Sequence, residues 1–71
     1  MRNLRNKVVA IVGQGYVGLS LAINAARVNK VIGFDLDSEK IQSLKAGISY
    51  IEGVGSDEIR SSLDSGNYLP T

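Results

Sequence analysis

The chain has 71 residues, of which 44% are hydrophobic and 21% charged; its net charge is +1 and it contains no cysteine, histidine or tryptophan. This is the composition of an ordinary soluble globular chain. It excludes a disulfide framework, a cysteine zinc site and a Ser-His-Asp mechanism. Folded units of this size bury only about 60% of the surface their unfolded chain exposes, which makes them marginal.

The charge is unevenly spread. Arg2, Arg5, Lys7, Arg27 and Lys30 precede the first acid, and all seven acids lie from Asp35 onward. The basic half has no interleaved aromatics of the kind a nucleic-acid interface uses, so no nucleic-acid partner is expected. The apolar runs are far too short for a membrane span. The basic start lacks a small-residue cleavage site, so no signal peptide is expected and the default location is cytoplasmic.

Residues 1–6 read as a loose arm. Residues 7–12 are expected to form the first strand: after Lys7 come five consecutive apolar residues, the pattern of a strand covered on both faces in a parallel sheet. Gly13-Gln14-Gly15-Tyr16-Val17-Gly18 follows and reads G-x-G-x-x-G. A first helix is expected from about Tyr16 to Val28, with Val17, Leu21, Ala25 and Val28 as the stripe facing the sheet. Asn29, which tolerates a left-handed conformation, would end it. Residues 30–35 form a second strand that finishes on an acid.

Asp37 then caps a second helix that carries Glu39 in its first turn. Ile41, Leu44 and Ile48 make its apolar stripe, and Gly47 stops it. A two-glycine loop leads to a short third helix that starts at Ser56-Asp57-Glu58 and carries Ile59 and Leu63 one turn apart; Gly66 ends it. A mononucleotide-binding half needs βαβαβ. The segments predict β, α, β and α plus a short helix, an incomplete Rossmann-type α/β sheet that looks cut near where a third strand begins. The predicted organisation is an arm over 1–6 and, over 7–71, the N-terminal part of a dinucleotide-binding domain.

Strand, glycine turn and helix together are the context in which the motif signifies dinucleotide binding. Gly13 would make the tight turn, Gly15 would admit a pyrophosphate close to the backbone, and Gly18 would let the helix pack on the strand. The first N–H groups of the helix lack internal partners and, with the helix dipole, form an anion site. Asp35 lies about 20 residues beyond the glycines, where a carboxylate receives the ribose hydroxyls and favours NAD over NADP. Gly13, Gln14, Gly15, Tyr16, Val17, Gly18 and Asp35 are therefore the expected cofactor-binding residues. Asp35 has a simpler alternative role, steadying the turn after its strand. Tyr50 and Tyr68 read as packing residues, and no metal ligands are expected.

Val12 to Leu19, then Val31-Ile32-Gly33-Phe34-Asp35, then Gly47-Ile48-Ser49-Tyr50-Ile51-Glu52 resemble the N-terminus of the UDP-sugar 6-dehydrogenases. The last segment looks most like the branch acting on UDP-N-acetylhexosamines. The resemblance runs from about Lys7 to Thr71. It implies an NAD-dependent, two-step oxidation of a sugar C6 alcohol to the uronic acid through a cysteine thiohemiacetal, in polysaccharide biosynthesis, by an enzyme expected to be a homo-oligomer. It implies that Tyr16 and Val17 contribute backbone contacts to the pyrophosphate, that Lys40 joins Asp35 at the adenosine ribose, and that the Gly47–Glu52 loop approaches the active site. The cysteine and lysine that the resemblance places at the chemistry have no counterpart in these 71 residues, so no catalytic residue is expected here. Two other readings share the glycines and the acid: a stand-alone nucleotide-binding module, and a segment of another Rossmann oxidoreductase such as a hydroxyacid dehydrogenase.

Overall fold

The computed structural model describes residues 7–71; the arm expected over residues 1–6 lies outside the described residues. The elements follow as β1 (Val8–Val12), α1 (Tyr16–Ala25), β2 (Lys30–Phe34), α2 (Ser38–Lys45), α3 (Ser56–Asp64) and β3 (Tyr68–Pro70). The strands form one parallel sheet in the order β1-β2-β3. The fold is thus the expected Rossmann-type α/β sheet, with one addition. Tyr68–Pro70, beyond the last element expected from sequence, supply a short third strand, with Val31 opposite Tyr68 and Gly33 opposite Pro70. Three residues carry no readable alternation, and Pro70 argues against a strand; it is tolerated at an edge because its missing N–H faces away from the ladder.

β2 is therefore central rather than an edge. Parallel crossovers are right-handed, and a chain that steps across the sheet in one direction places every helix on the same face. Val9, Ile11, Val31, Gly33, Tyr68 and Pro70 point to that face, and the core forms there with Leu19, Ala22, Ile23, Ala26, Ile41, Leu44, Val54 and Ile59. The opposite face presents Val8, Val12, Phe34 and Leu69, and Val12 is 79% exposed. The run in β1 is thus covered on one face only among the described residues, not on both as its sequence suggests.

The buried side of α1 also differs from the expected stripe. Val17 and Leu21 are 75% and 57% exposed, whereas Leu19, Ala22, Ile23 and Ala26 are buried. The helix is apolar nearly all round, so its period does not select a face. Close packing on the glycine turn does. A Cβ at Gly18 would collide with the Gly13 carbonyl, its carbon at 2.9 Å, so the Gly18–Ala22 side must face inward. The helix also ends three residues early, at Ala25. Asn29 closes it through its side chain, donating from Nδ2 to the Ala25 carbonyl at 3.1 Å and accepting the Lys7 N–H at 2.9 Å.

The later helices start and stop as their residues dictate. Asp37 Oδ1 accepts the N–H groups of Glu39 and Lys40 at 3.0 and 3.3 Å, and Gly47 takes φ +75° just past α2. Ile48, expected on the α2 stripe, lies beyond the helix end and is exposed. α3 begins at Ser56 as predicted, with the Glu58 carboxylate accepting the Gly55 N–H at 3.3 Å. Gly66 follows it at φ +78°. Among the described residues no helix is long and apolar enough to cross a membrane.

Candidate functional site: the glycine turn and the end of the second strand

The glycine turn lies at the C-terminal ends of β1 and β2, the side of an open α/β sheet where ligands bind. Gly13 donates its N–H to the Phe34 carbonyl at 2.6 Å and leaves the strand at φ +91°, a conformation other residues adopt at a cost. Gly15 is the N-cap of α1, with extended backbone and no side-chain cap. The first backbone bond into the helix runs from the Leu19 N–H to the Gly15 carbonyl at 2.9 Å. Among the described residues, the N–H groups of Gly15, Tyr16, Val17 and Gly18 make no hydrogen bond within the chain. A Cβ on Gly15 would meet nothing within 4 Å, so its lack of a side chain leaves room rather than relieving an internal clash. The first turn carries no acidic side chain. Free N–H groups, the positive end of a helix dipole and open space over Gly15 are what a pyrophosphate requires.

Asp35 follows β2 and joins the two halves of the site. Its Oδ2 accepts the Gln14 N–H at 2.7 Å and its Oδ1 accepts the Asp37 N–H at 2.8 Å. The bonds from Asp37 and Gln14 hold the carboxyl below its ordinary range; partial burial opposes them, and the nearby Lys40 charge adds to them. Each carboxylate oxygen has lone pairs beyond the bond it accepts, so a ribose diol can still be received. The turn-steadying role and the ribose role are thus compatible in one residue. The charge of Lys40 reaches this carboxylate, and its ammonium lies 5.9 Å from the centre of the Tyr50 ring. Asp37, Glu39, Lys40, Ser43 and Tyr50 line a shallow cleft of about 220 Å³ there.

Gln14 does not face the ligand side as its place among the expected cofactor contacts implies. It is fully buried. Its Nε2 donates to the carbonyls of Ile11 and Gly13, each at 3.0 Å. Its Oε1 accepts the Tyr68 hydroxyl, and its main-chain carbonyl accepts the Tyr50 hydroxyl, both at 2.5 Å. With its N–H on Asp35, every polar group of Gln14 is engaged inside the protein, as a buried amide demands. Gly33 makes room for this arrangement, because a Cβ there would fall 2.7 Å from Tyr68 Cε1 and against the Gln14 amide.

The two tyrosines are more than packing residues. Burial pushes the Tyr50 hydroxyl up to about 12 and drives the Tyr68 hydroxyl above the ordinary tyrosine range. Sequence reasoning passed over this network. The available signal was that a tyrosine in an apolar setting brings a hydroxyl that needs a partner; which partner depends on contacts 36 and 54 residues apart.

Strand, positive-φ glycine, open helix N-terminus and strand-end acid define a dinucleotide-binding half of the Rossmann type. Residues 7–71 match the NAD binding domain of the UDP-glucose/GDP-mannose dehydrogenase family, and the chain belongs to that family. Its cofactor is accordingly NAD. The chain is similar to the UDP-N-acetyl-D-glucosamine 6-dehydrogenase of Pseudomonas aeruginosa, with 36% identity over 61 residues covering 86% of this chain and 14% of that protein. Among solved structures it resembles a UDP-glucose dehydrogenase from Pyrobaculum islandicum, with a TM-score of 0.86 and 26% identity over 100% of this chain and 17% of that one. It also resembles a UDP-D-ManNAc dehydrogenase from Pyrococcus horikoshii, with a TM-score of 0.84 and 32% identity over 90% of this chain and 16% of that one. The chain thus spans between 14% and 17% of the length of these proteins.

Proposed function

We propose that this chain is the NAD-holding segment of an enzyme that oxidises the C6 alcohol of a UDP-sugar, specifically a UDP-N-acetylhexosamine, to the uronic acid. The observation that carries the reading is the bond between the Asp35 carboxylate and the Gln14 N–H. It holds a ribose acceptor against an anion-binding turn, so one rigid unit can take both the adenosine ribose and the pyrophosphate of a dinucleotide. In this reading the N–H groups of Gly15, Tyr16, Val17 and Gly18 receive the pyrophosphate, while Gly13 shapes the turn. Asp35 accepts from the ribose hydroxyls with Lys40 beside it, and Gln14 acts from within by holding the turn. NAD held there would supply the hydride acceptor for each of the two two-electron oxidations that take an alcohol to a carboxylate. Residues 7–71 are the N-terminal part of the cofactor domain, and the chemistry belongs to residues outside this chain. The choice of an N-acetylhexosamine is supported by the Gly47–Glu52 segment and by the names of the relatives that the chain resembles.

The test has two arms, both on the intact protein. Equilibrium binding should favour NAD over NADP by at least tenfold, because Asp35 repels a 2′-phosphate. NADH formation should be faster with UDP-N-acetylhexosamines than with UDP-glucose. A preference for NADP would remove Asp35 from the ribose, and a preference for UDP-glucose would overturn the substrate assignment while leaving the cofactor site intact.

A further inference from the structure

The Gln14 carbonyl and the Gly15 N–H belong to one planar trans peptide and so point in opposite directions. Gly15 is the N-cap, so the Gln14 carbonyl stands outside the helix ladder. Its hydrogen-bond partner is the Tyr50 hydroxyl, at 2.5 Å, brought from the loop between α2 and α3. Glycine on the C-terminal side of a peptide is the residue that best tolerates rotation of that plane, since both signs of φ are open to it. The preceding peptide, Gly13–Gln14, is fixed separately by the Gln14 N–H on Asp35. Among the described residues, the Gln14–Gly15 plane is held from the loop alone. The loop is itself anchored: Ser49 donates its N–H to Ser56 Oγ at 2.9 Å and its hydroxyl to the Ile51 carbonyl at 3.0 Å.

We propose that Tyr50 is a positioning residue for the dinucleotide: by holding the Gln14 carbonyl it keeps the Gly15 N–H, rather than a carbonyl oxygen, directed at the pyrophosphate. The inference rests on the reading of the glycine turn as the pyrophosphate site. Tyr50 touches no ligand in this scheme. Its raised hydroxyl pKa keeps it a donor throughout the working pH range. Because coupling is reciprocal, a bound dinucleotide must in turn steady the Tyr50 loop.

The experiment is equilibrium binding of NAD, ADP-ribose and adenosine to the intact protein and its Tyr50→Phe variant, well below either melting temperature. The variant keeps the ring and its contact with Lys40 and removes only the hydroxyl. A lost hydrogen bond of ordinary strength predicts about 3- to 10-fold weaker binding of NAD and ADP-ribose, which carry the pyrophosphate, with adenosine unchanged. Tyr68→Phe removes a bond to the Gln14 side chain but not to the peptide plane; it should lower thermal stability without that selective loss. Equal affinities in Tyr50→Phe and wild type, or an equal loss for all three ligands, would overturn the proposal. Failure of the wild type to bind NAD at all would overturn the cofactor site with it. A measurement free of substitution stands beside these: NAD should slow amide exchange at residues 48–53 of the wild-type protein, and unchanged exchange there would refute the coupling.

Discussion

Two alanine substitutions in the glycine motif should fail in opposite ways. At Gly18, a helix interior ordinarily favours alanine over glycine by about 1 kcal/mol. Here the new methyl would overlap the Gly13 carbonyl and stand 2.9 Å from its carbon. That peptide cannot swing aside, because the Gly13 N–H is bonded to the Phe34 carbonyl and the Gln14 N–H to Asp35. Overpacking costs about 1–3 kcal/mol even where side chains can yield, and against fixed backbone the upper end applies. The net effect of Gly18→Ala is a loss of about 2 kcal/mol. At Gly15 the methyl meets nothing within 4 Å, and φ is −79°, within alanine's range, with ψ −158° at the edge of the extended region. The weaker N-cap costs about 0.5–1 kcal/mol, and the stiffer unfolded chain returns a similar amount. Gly15→Ala should therefore unfold within about 0.5 kcal/mol of wild type, yet bind NAD at least tenfold more weakly because the methyl occupies the space of the pyrophosphate. Urea denaturation followed by circular dichroism, paired with NAD titration calorimetry, separates the two. A Gly18→Ala protein with an unchanged midpoint, or a Gly15→Ala protein with an unchanged Kd, would refute the reasoning.

Three further outcomes are expected. The Asp35 carboxyl is held below its ordinary range by the Asp37 and Gln14 N–H groups, so its contribution to stability is present above the ordinary carboxylate pKa and is lost as pH falls through the lowered value. Asp35→Asn should flatten that acid limb in a pH series of urea midpoints, and an unchanged limb would show that the two bonds do not matter. Tyr50 runs the other way: its hydroxyl is raised from 10.0 to about 12, so stability should begin to fall as pH passes 10 and unfolded chains ionise first; Tyr50→Phe should reduce that alkaline loss, as followed by tyrosinate absorbance and circular dichroism. Finally, the isolated 71-residue chain should self-associate and form no NADH from UDP-sugars. Among the described residues nothing covers the sheet face that presents the exposed Val8, Val12, Phe34 and Leu69, and the chain holds neither a thiol to capture an aldehyde nor an imidazole to move its protons. A monodisperse monomer by sedimentation would contradict the first expectation, and turnover that a Gly15→Asp variant abolishes would contradict the second.

Much of the molecule follows from local rules. A valine-rich run, a glycine that must take φ +91°, an aspartate whose carboxylate accepts the N–H groups two and three residues on and glycines just past two helix ends each act within a few residues of themselves. The first two strands, the helix starts and the acid beyond β2 are therefore legible in the sequence. Interactions between distant segments were not. The inward face of α1 was decided by the Gly13 carbonyl pressing on Gly18, not by a period that its apolar sequence YVGLSLAINA does not possess. β3 exists because β2 offers an edge to pair with, not because three residues ending in proline prefer a strand. Gln14 shows the division most sharply. Its position in the motif suggested a ligand contact, yet Tyr50, Tyr68 and Asp35 engage its carbonyl, its side chain and its N–H from three other parts of the chain. A buried amide must satisfy all its polar groups, and only the tertiary structure brings together the partners that do so.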